Sequence, residues 1–119
     1  MKHQSGYKKL NIRSAHRRAL LRNQVIHLVK YGVLQTTKPR AKAVQRLAEK
    51  IVTIARKGAD FNTIRRVNQL LPYDKDACKK LVTEVAPKYV DRPGGYTRTI
   101  PLGRRQSDGA PILRLQWVD

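Results

Sequence analysis

Carboxylates are scarce in this 119-residue chain: 8 Asp and Glu stand against 26 Lys and Arg, leaving a formal charge of +18. Paired carboxylates are what general acid–base work and two-metal phosphoryl chemistry need. The nearest pair here, Asp74 and Asp76, falls on different sides of a helix start and does not converge. Cysteine is nearly missing too. A lone Cys78 excludes an intramolecular disulfide framework and a Cys-rich zinc module, and it fits a reducing compartment. Lys79 and Lys80 beside it favour a thiolate, but no base or oxyanion site accompanies them, so Cys78 reads as a small filler residue. His16 and His27 are eleven residues apart on one predicted helix, which is not metal-ligand spacing, and no metal or cofactor is expected.

No apolar run nears the roughly 18–20 residues a membrane span needs. Met1 to Leu10 is basic and polar, so neither a secretory signal nor a long transit peptide is expected before the domain. The chain has one Trp and one Phe. Trp117 falls in a predicted strand and Phe61 in a weakly basic helix, so the amphipathic helices lack the aromatic anchors of a membrane-surface helix. Core packing explains their apolar stripes better.

What is present is cationic and foldable. With 40% hydrophobic residues, a chain of this length can bury a core as one domain. A small soluble domain needs a net charge of only roughly 2–8, so +18 points to a polyanionic partner. The distribution sharpens that reading. Residues 1–48 hold 12 Lys and Arg and no carboxylate, while residues 49–119 hold 14 basic and 8 acidic residues. A merely solvated face mixes signs, because opposite charges at i, i+4 stabilise helices. Phosphates supply the missing counter-charge, and nucleic acid becomes the leading partner.

Residues 1–13 show no periodicity and read as an extended basic arm; residues 14–119 read as a single domain. From Ser14, a candidate cap, Leu21, Val25, Leu28 and Val29 recur on one helical face until Gly32. His16, Asn23, His27 and Lys30 take the opposite face, with Arg17, Arg18 and Arg22 in the first turns. Val33 to Thr37 reads as a short strand. Thr37 and Pro39 then open a helix whose stripe is Val44, Leu47, Ala48, Ile51, Ile54 and Ala55, stopped by Gly58. Two shorter helices follow over 60–71 and 74–86, with Asp60 and Asp74 as caps and Pro72 and Pro87 as separators.

Beyond Pro87, Arg92-Pro93-Gly94-Gly95 reads as a tight turn, with an anion nest as the alternative. A strand from Tyr96 to Leu102 places Tyr96, Arg98, Ile100 and Leu102 on one side. Pro101 confines that strand to an edge or gives it a bulge. After a polar loop with Arg104 and Arg105, a last strand over 112–118 turns Leu113, Leu115 and Trp117 the same way. The expected fold is α+β, with about three strands and about four helices. Arg92, Gly95, Tyr96 and Arg98 combine guanidiniums, open backbone and an aromatic, which suits an RNA backbone or a flipped-out base.

The chain resembles the bacterial-type large-subunit ribosomal protein L-seventeen family over essentially its whole length. The resemblance is carried by Gly6-Tyr7-Lys8-Lys9-Leu10-Asn11, by Ser14 to Asn23, by Leu34-Gln35-Thr36-Thr37 and by Pro39-Arg40-Ala41-Lys42. Ala86-Pro87-Lys88-Tyr89, Asp91 to Arg98, Leu102-Gly103 and Ala110-Pro111 extend it to the C-terminal part. It implies a non-catalytic constituent of the large ribosomal subunit with a mixed sheet against helices. It further implies binding of ribosomal RNA near the polypeptide exit, contact with neighbouring ribosomal proteins, and a cytoplasmic place in a bacterial-type ribosome, with a matured organellar ribosome as the alternative and no membrane or small-molecule partner.

By position, the RNA-facing residues would be Lys2, His3, Lys8, Lys9 and Arg13 of the arm, and His16, Arg17, Arg18 and Arg22 of the first helix. Arg40 and Lys42, then Arg92, Gly94, Gly95, Tyr96 and Arg98, and finally Arg104 and Arg105 complete the set. Two departures stand out: Ala43 where many relatives carry Glu, and Pro101 where a backbone donor is usual. A duplex-DNA module is the competing class, but the first helix shows no base-reading row. An RNA-modifying enzyme would need a cofactor motif or converging acids, and neither is present.

Overall fold

The computed structural model describes residues 14–58 and 60–118. The expected arm over 1–13 lies outside them. Helix α1, Ser14–Tyr31, runs into strand β1, Val33–Thr37. Ser14, expected as the cap of α1, stands at the boundary of the described residues. Gly32 makes the corner between them at φ +80°, and its N–H closes onto the Leu28 carbonyl at 2.9 Å. That left-handed conformation is cheap only for glycine.

Helix α2, Lys38–Ala55, follows β1 without a loop. Thr37 occupies the cap position, yet its side chain makes no capping bond. Pro39 removes one of the N–H groups a capping oxygen would seek, and the Thr37 backbone is already paired with Ile112 in the sheet. Val44, Ala48, Ile51, Val52 and Ala55 are buried, while Lys42, Arg46 and Lys50 are exposed. Helix α2 is the centre of the fold: it packs on α1, on α3 (Phe61–Leu70) and on all three strands.

Asp60 caps α3 by accepting from the Thr63 N–H at 2.7 Å, and Asp74 caps α4, Lys75–Lys80, by accepting from the Ala77 N–H at 3.1 Å. The helix expected to end before Pro87 does something different. After Lys80 it widens into a π-helical turn, Leu81–Val85, in which the Ala86 N–H reaches back to the Leu81 carbonyl. It then tightens into a 3₁₀ turn, Ala86–Tyr89. Pro87 therefore sits in a first turn, where its missing N–H costs nothing, instead of separating elements.

Strands β2, Thr97–Arg104, and β3, Pro111–Trp117, complete an α+β domain. The order is β1-β3-β2, and both pairings are antiparallel, so the sheet implied as mixed is antiparallel throughout. Pro101 lies on an edge strand and the register slips between Pro101 and Gly103, so edge and bulge occur together. Leu34, Leu113 and Leu115 are buried toward the helices, and Trp117 packs beside them with its indole N–H on the Leu28 carbonyl at 3.2 Å. The opposite face of the sheet carries Gln35, Arg98, Arg114 and Gln116, alternating with the buried residues along each strand.

Candidate nucleic-acid interface

The sheet register sorts the candidate cations into two groups. At one end, Val33 pairs with Gln116 and Gln116 with Arg98. Arg92 belongs to this end as well, because the Arg56 guanidinium at the close of α2 donates to its carbonyl. At the other end, Thr37 pairs with Ile112 and Ile112 with Gly103, so the start of α2, with Arg40 and Lys42, lies at the same end of the sheet as the Arg104–Arg105 hairpin. His16 and Arg18 are exposed on α1, and Arg17 and Arg22 are half-buried there. Lys2, His3, Lys8, Lys9 and Arg13 lie outside the described residues.

Within the first group, Gly95 turns the chain at φ +64° and Gly94 is half-buried beside it. Arg92, Gly95 and Arg98 are exposed. Tyr96 is not. Its side chain is 1% exposed, with the ring 5.3 Å from that of Tyr89 and the hydroxyl 3.2 Å from Thr53 Oγ1. A ring enclosed in the core offers no face to a base, so Tyr96 is corrected from an RNA contact to a core residue. Strand alternation had placed Tyr96 with Arg98. The strand begins only at Thr97, after the Gly95 turn, and Tyr96 obeys the turn instead.

Most carboxylates in the described part are spent inside the fold. Glu49 accepts from the Thr97 N–H and hydroxyl at 3.2 and 2.8 Å. Asp74 pairs with Lys30 at 2.6 Å, and this contact, followed by the Ala77 N–H, holds the Asp74 carboxyl below its ordinary range. The same pairing raises the Lys30 ammonium. The Thr63 N–H lowers Asp60. Asp108 takes two hydrogen bonds from Arg105, at 2.9 and 2.5 Å, and one from the Ala110 N–H, which bring its carboxyl down to about 2. Arg105 is thus occupied within its own loop, while Arg104 donates to the Gly109 carbonyl at 2.9 Å and stiffens the same hairpin.

Ion pairs among the described residues number two, Lys30–Asp74 and Arg105–Asp108. Against that, Arg18, Arg40, Lys42, Arg46, Lys50, Arg92, Arg98 and Arg114 are exposed with no carboxylate partner among those residues. Such a surface repels itself until a polyanion covers it.

Cys78 is buried and donates to the Leu71 carbonyl at 3.1 Å, and burial pushes its thiol up rather than down. It is a filler, despite its lysine neighbours. It also lines an apolar groove of about 340 Å³ with Ile64, Val67, Val82 and Thr83, rimmed by Lys75 and Lys79. A lining of that character suits an apolar side chain and not a phosphate. No helix among the described residues is long and apolar enough to cross a membrane.

Comparison with known proteins agrees with the charge pattern. The family model described as ribosomal protein L17 matches residues 20–118. A large ribosomal subunit protein bL17 from Desulforudis audaxviator is 49% identical over 113 residues, covering 95% of this chain and 99% of its own. The bL17 protein of Campylobacter lari is 48% identical over 118 residues and covers 99% of both chains. The chain belongs to the ribosomal protein L17 family. It is a structural ribosomal constituent and not an enzyme.

Arg114 was not among the candidates, yet it is exposed on the central strand, opposite Gln35 on one side and Ile100 on the other. Its signal was available, since Leu113, Leu115 and Trp117 facing inward turns Arg114 and Gln116 outward.

Proposed function

We propose that the protein binds and stabilises large-subunit ribosomal RNA, on the polypeptide exit side of the subunit, by neutralising phosphates where RNA helices crowd together. The observation that carries this reading is the excess of exposed cations that have no carboxylate partner among the described residues. Lys and Arg displace condensed counterions from the RNA, and the α+β body fixes where those charges lie. The contacts come from the arm, the first turns of α1, the start of α2, Arg92 with the Gly94–Gly95 turn and Arg98, and the Arg104–Arg105 hairpin. Specificity comes from RNA shape and 2′-hydroxyls, as is usual for paired RNA. The exit-side position is supported by the resemblance to the family, and so is a cytoplasmic place in the ribosome.

Neighbouring large-subunit proteins form the second class of partner. Phe61 and Ile64, exposed one turn apart on α3 beside the apolar groove, give a surface whose chemistry suits them.

Sedimentation of the tagged protein from a bacterial lysate tests the assignment. It should co-migrate with the large subunit through a moderate-salt wash. With about 6–10 phosphates engaged, affinity for ribosomal RNA should fall about three to five decades between 50 and 200 mM salt. Recovery in the soluble or DNA-bound fraction alone would overturn the reading in favour of a DNA-binding module.

A further inference from the structure

The open face of the sheet joins the two cation groups. Gln35, Arg114 and Ile100 form one cross-strand row in its middle; Val33, Gln116 and Arg98 form the next row toward the Arg92 end. Among the described residues no helix covers this side, since the helices pack on the face that carries Leu34, Leu113 and Leu115. On this face the strands carry Arg98 and Arg114, and none of the three strands contains Asp or Glu.

We propose that this face is a second RNA surface, a track for the sugar–phosphate backbone of paired RNA, with Arg114 as its central anchor and Arg98 beside it toward the Arg92 end. The proposal rests on the ribosomal RNA reading above and adds the face and the form of RNA. Three observations support it. First, the Arg98 guanidinium is held in place. With the Gln116 amide oxygen turned toward it, that oxygen accepts from Nε at 3.0 Å and from Nη2 at 2.9 Å. The Nη1 edge stays available, and a planar fork held this way suits a phosphate. The Gln116 amide N–H₂ then points away from Arg98, as a further donor. Second, Arg98 and Arg114 are diagonal neighbours on adjacent strands, about 7–8 Å apart, a spacing that lets them serve neighbouring phosphates of one strand. Third, the face has no aromatic side chain among Val33, Gln35, Arg98, Ile100, Ile112, Arg114 and Gln116. Sheets that read single-stranded RNA stack its bases on aromatic rings. Without such rings this face can only follow a backbone, and paired RNA presents that backbone with its bases already stacked.

The test compares full-length variants binding a mixed-sequence RNA duplex of about 20 base pairs and a single strand of equal length. Arg114→Gln removes the anchor. Gln35→Glu places a carboxylate opposite it, in a face that has none. Lys79→Gln removes one charge from α4, at the rim of the apolar groove, and controls for net charge. Arg114→Gln and Gln35→Glu should each weaken duplex binding about ten-fold, and Arg114→Gln should lower the salt slope by about 1. Lys79→Gln should change both far less. The urea midpoint of each variant checks that the fold survives.

Equal effects of Arg114→Gln and Lys79→Gln, with wild-type binding intact, would overturn this proposal and leave the ribosomal reading standing. Preference for the single strand would overturn it too. So would a concentration-dependent dimer abolished by Gln35→Glu with RNA binding unchanged, since the face would then join two copies of the chain. Failure of the wild-type protein to bind either RNA or to sediment with the large subunit would overturn both readings.

Discussion

Glu49, the first carboxylate in the chain, holds Thr97, the first residue of β2, through both the backbone N–H and the hydroxyl of that threonine. The Gln45 side chain adds a third bond, donating to Thr97 Oγ1 at 3.1 Å. The contact spans 48 residues and fastens α2 to the strand that follows the basic turn. A carboxylate in this place is a clip between elements and leaves the neighbouring cations uncompensated. Glu49→Ala should therefore lower stability by about 1.5–3 kcal/mol, the range for hydrogen bonds to a charged group. Urea unfolding measures it, and a change below about 0.5 kcal/mol would show that the clip is not structural.

Tyr96 distinguishes a core ring from a base-stacking one. Tyr96→Phe should cost about 1 kcal/mol for the lost Thr53 contact and leave RNA affinity unchanged. Tyr96→Ala should cost about 3–5 kcal/mol, as large buried rings do. Paired urea and RNA titrations separate the two roles: an RNA defect in the stable Phe variant would restore the stacking role.

Cys78 should be slow to react. Its thiol is buried, donates to the Leu71 carbonyl and is raised by desolvation. In a native sample at pH 8, a thiol reagent should modify it at least about a hundred-fold more slowly than in urea, because only the thiolate reacts and the site must open first. Comparable rates in both conditions would mean that the α3–α4 region is already open.

Acid should destabilise the fold in a narrow window. Asp60, Asp74 and Asp108 all lie below the ordinary 3.8 in the folded chain, Asp108 at about 2. Groups lowered on folding contribute stability that is full above the unfolded value and lost as pH falls through the folded one. The urea midpoint should thus hold from neutral pH to about 5 and drop between about 4 and 2. Asp108→Asn should remove the part of that drop nearest 2. At the alkaline end, the Lys30–Asp74 contribution is present below 10.5 and lost as pH rises through the raised Lys30 value. A midpoint that rises on acidification would contradict the assignment.

Local signals anticipated the first half of the fold closely. Gly32 ends α1, Val33–Thr37 is the strand, and Asp60 and Asp74 cap the helices they precede, because each depends on a few adjacent residues. The misreadings of Tyr96 and Pro87 involve a neighbour distant in sequence or a ladder that changes register. Pro87 looked like a stop because the π-helical turn that admits it has no signature in single residues. Tyr96 looked exposed because alternation was extended through Gly95, and its true partners, Thr53 and Tyr89, lie on other elements. Arg114 was visible in the alternation of β3 but stands alone in sequence, without the clustering that marked Arg17–Arg18 or Arg104–Arg105. The RNA-facing set was legible as charge, and only the sheet register shows which charges share an end.

The slipped register between Pro101 and Gly103 also bears on life before assembly. A ribosomal protein exists for a time as a free, highly charged chain, and a flat exposed edge strand is then a template for intermolecular β-pairing. On β2 that template is spoiled. Pro101 brings no N–H, the bulge twists the edge, and Arg98 and Arg104 repel an identical neighbour. The irregularity thus acts as protection against aggregation during the interval between synthesis and incorporation.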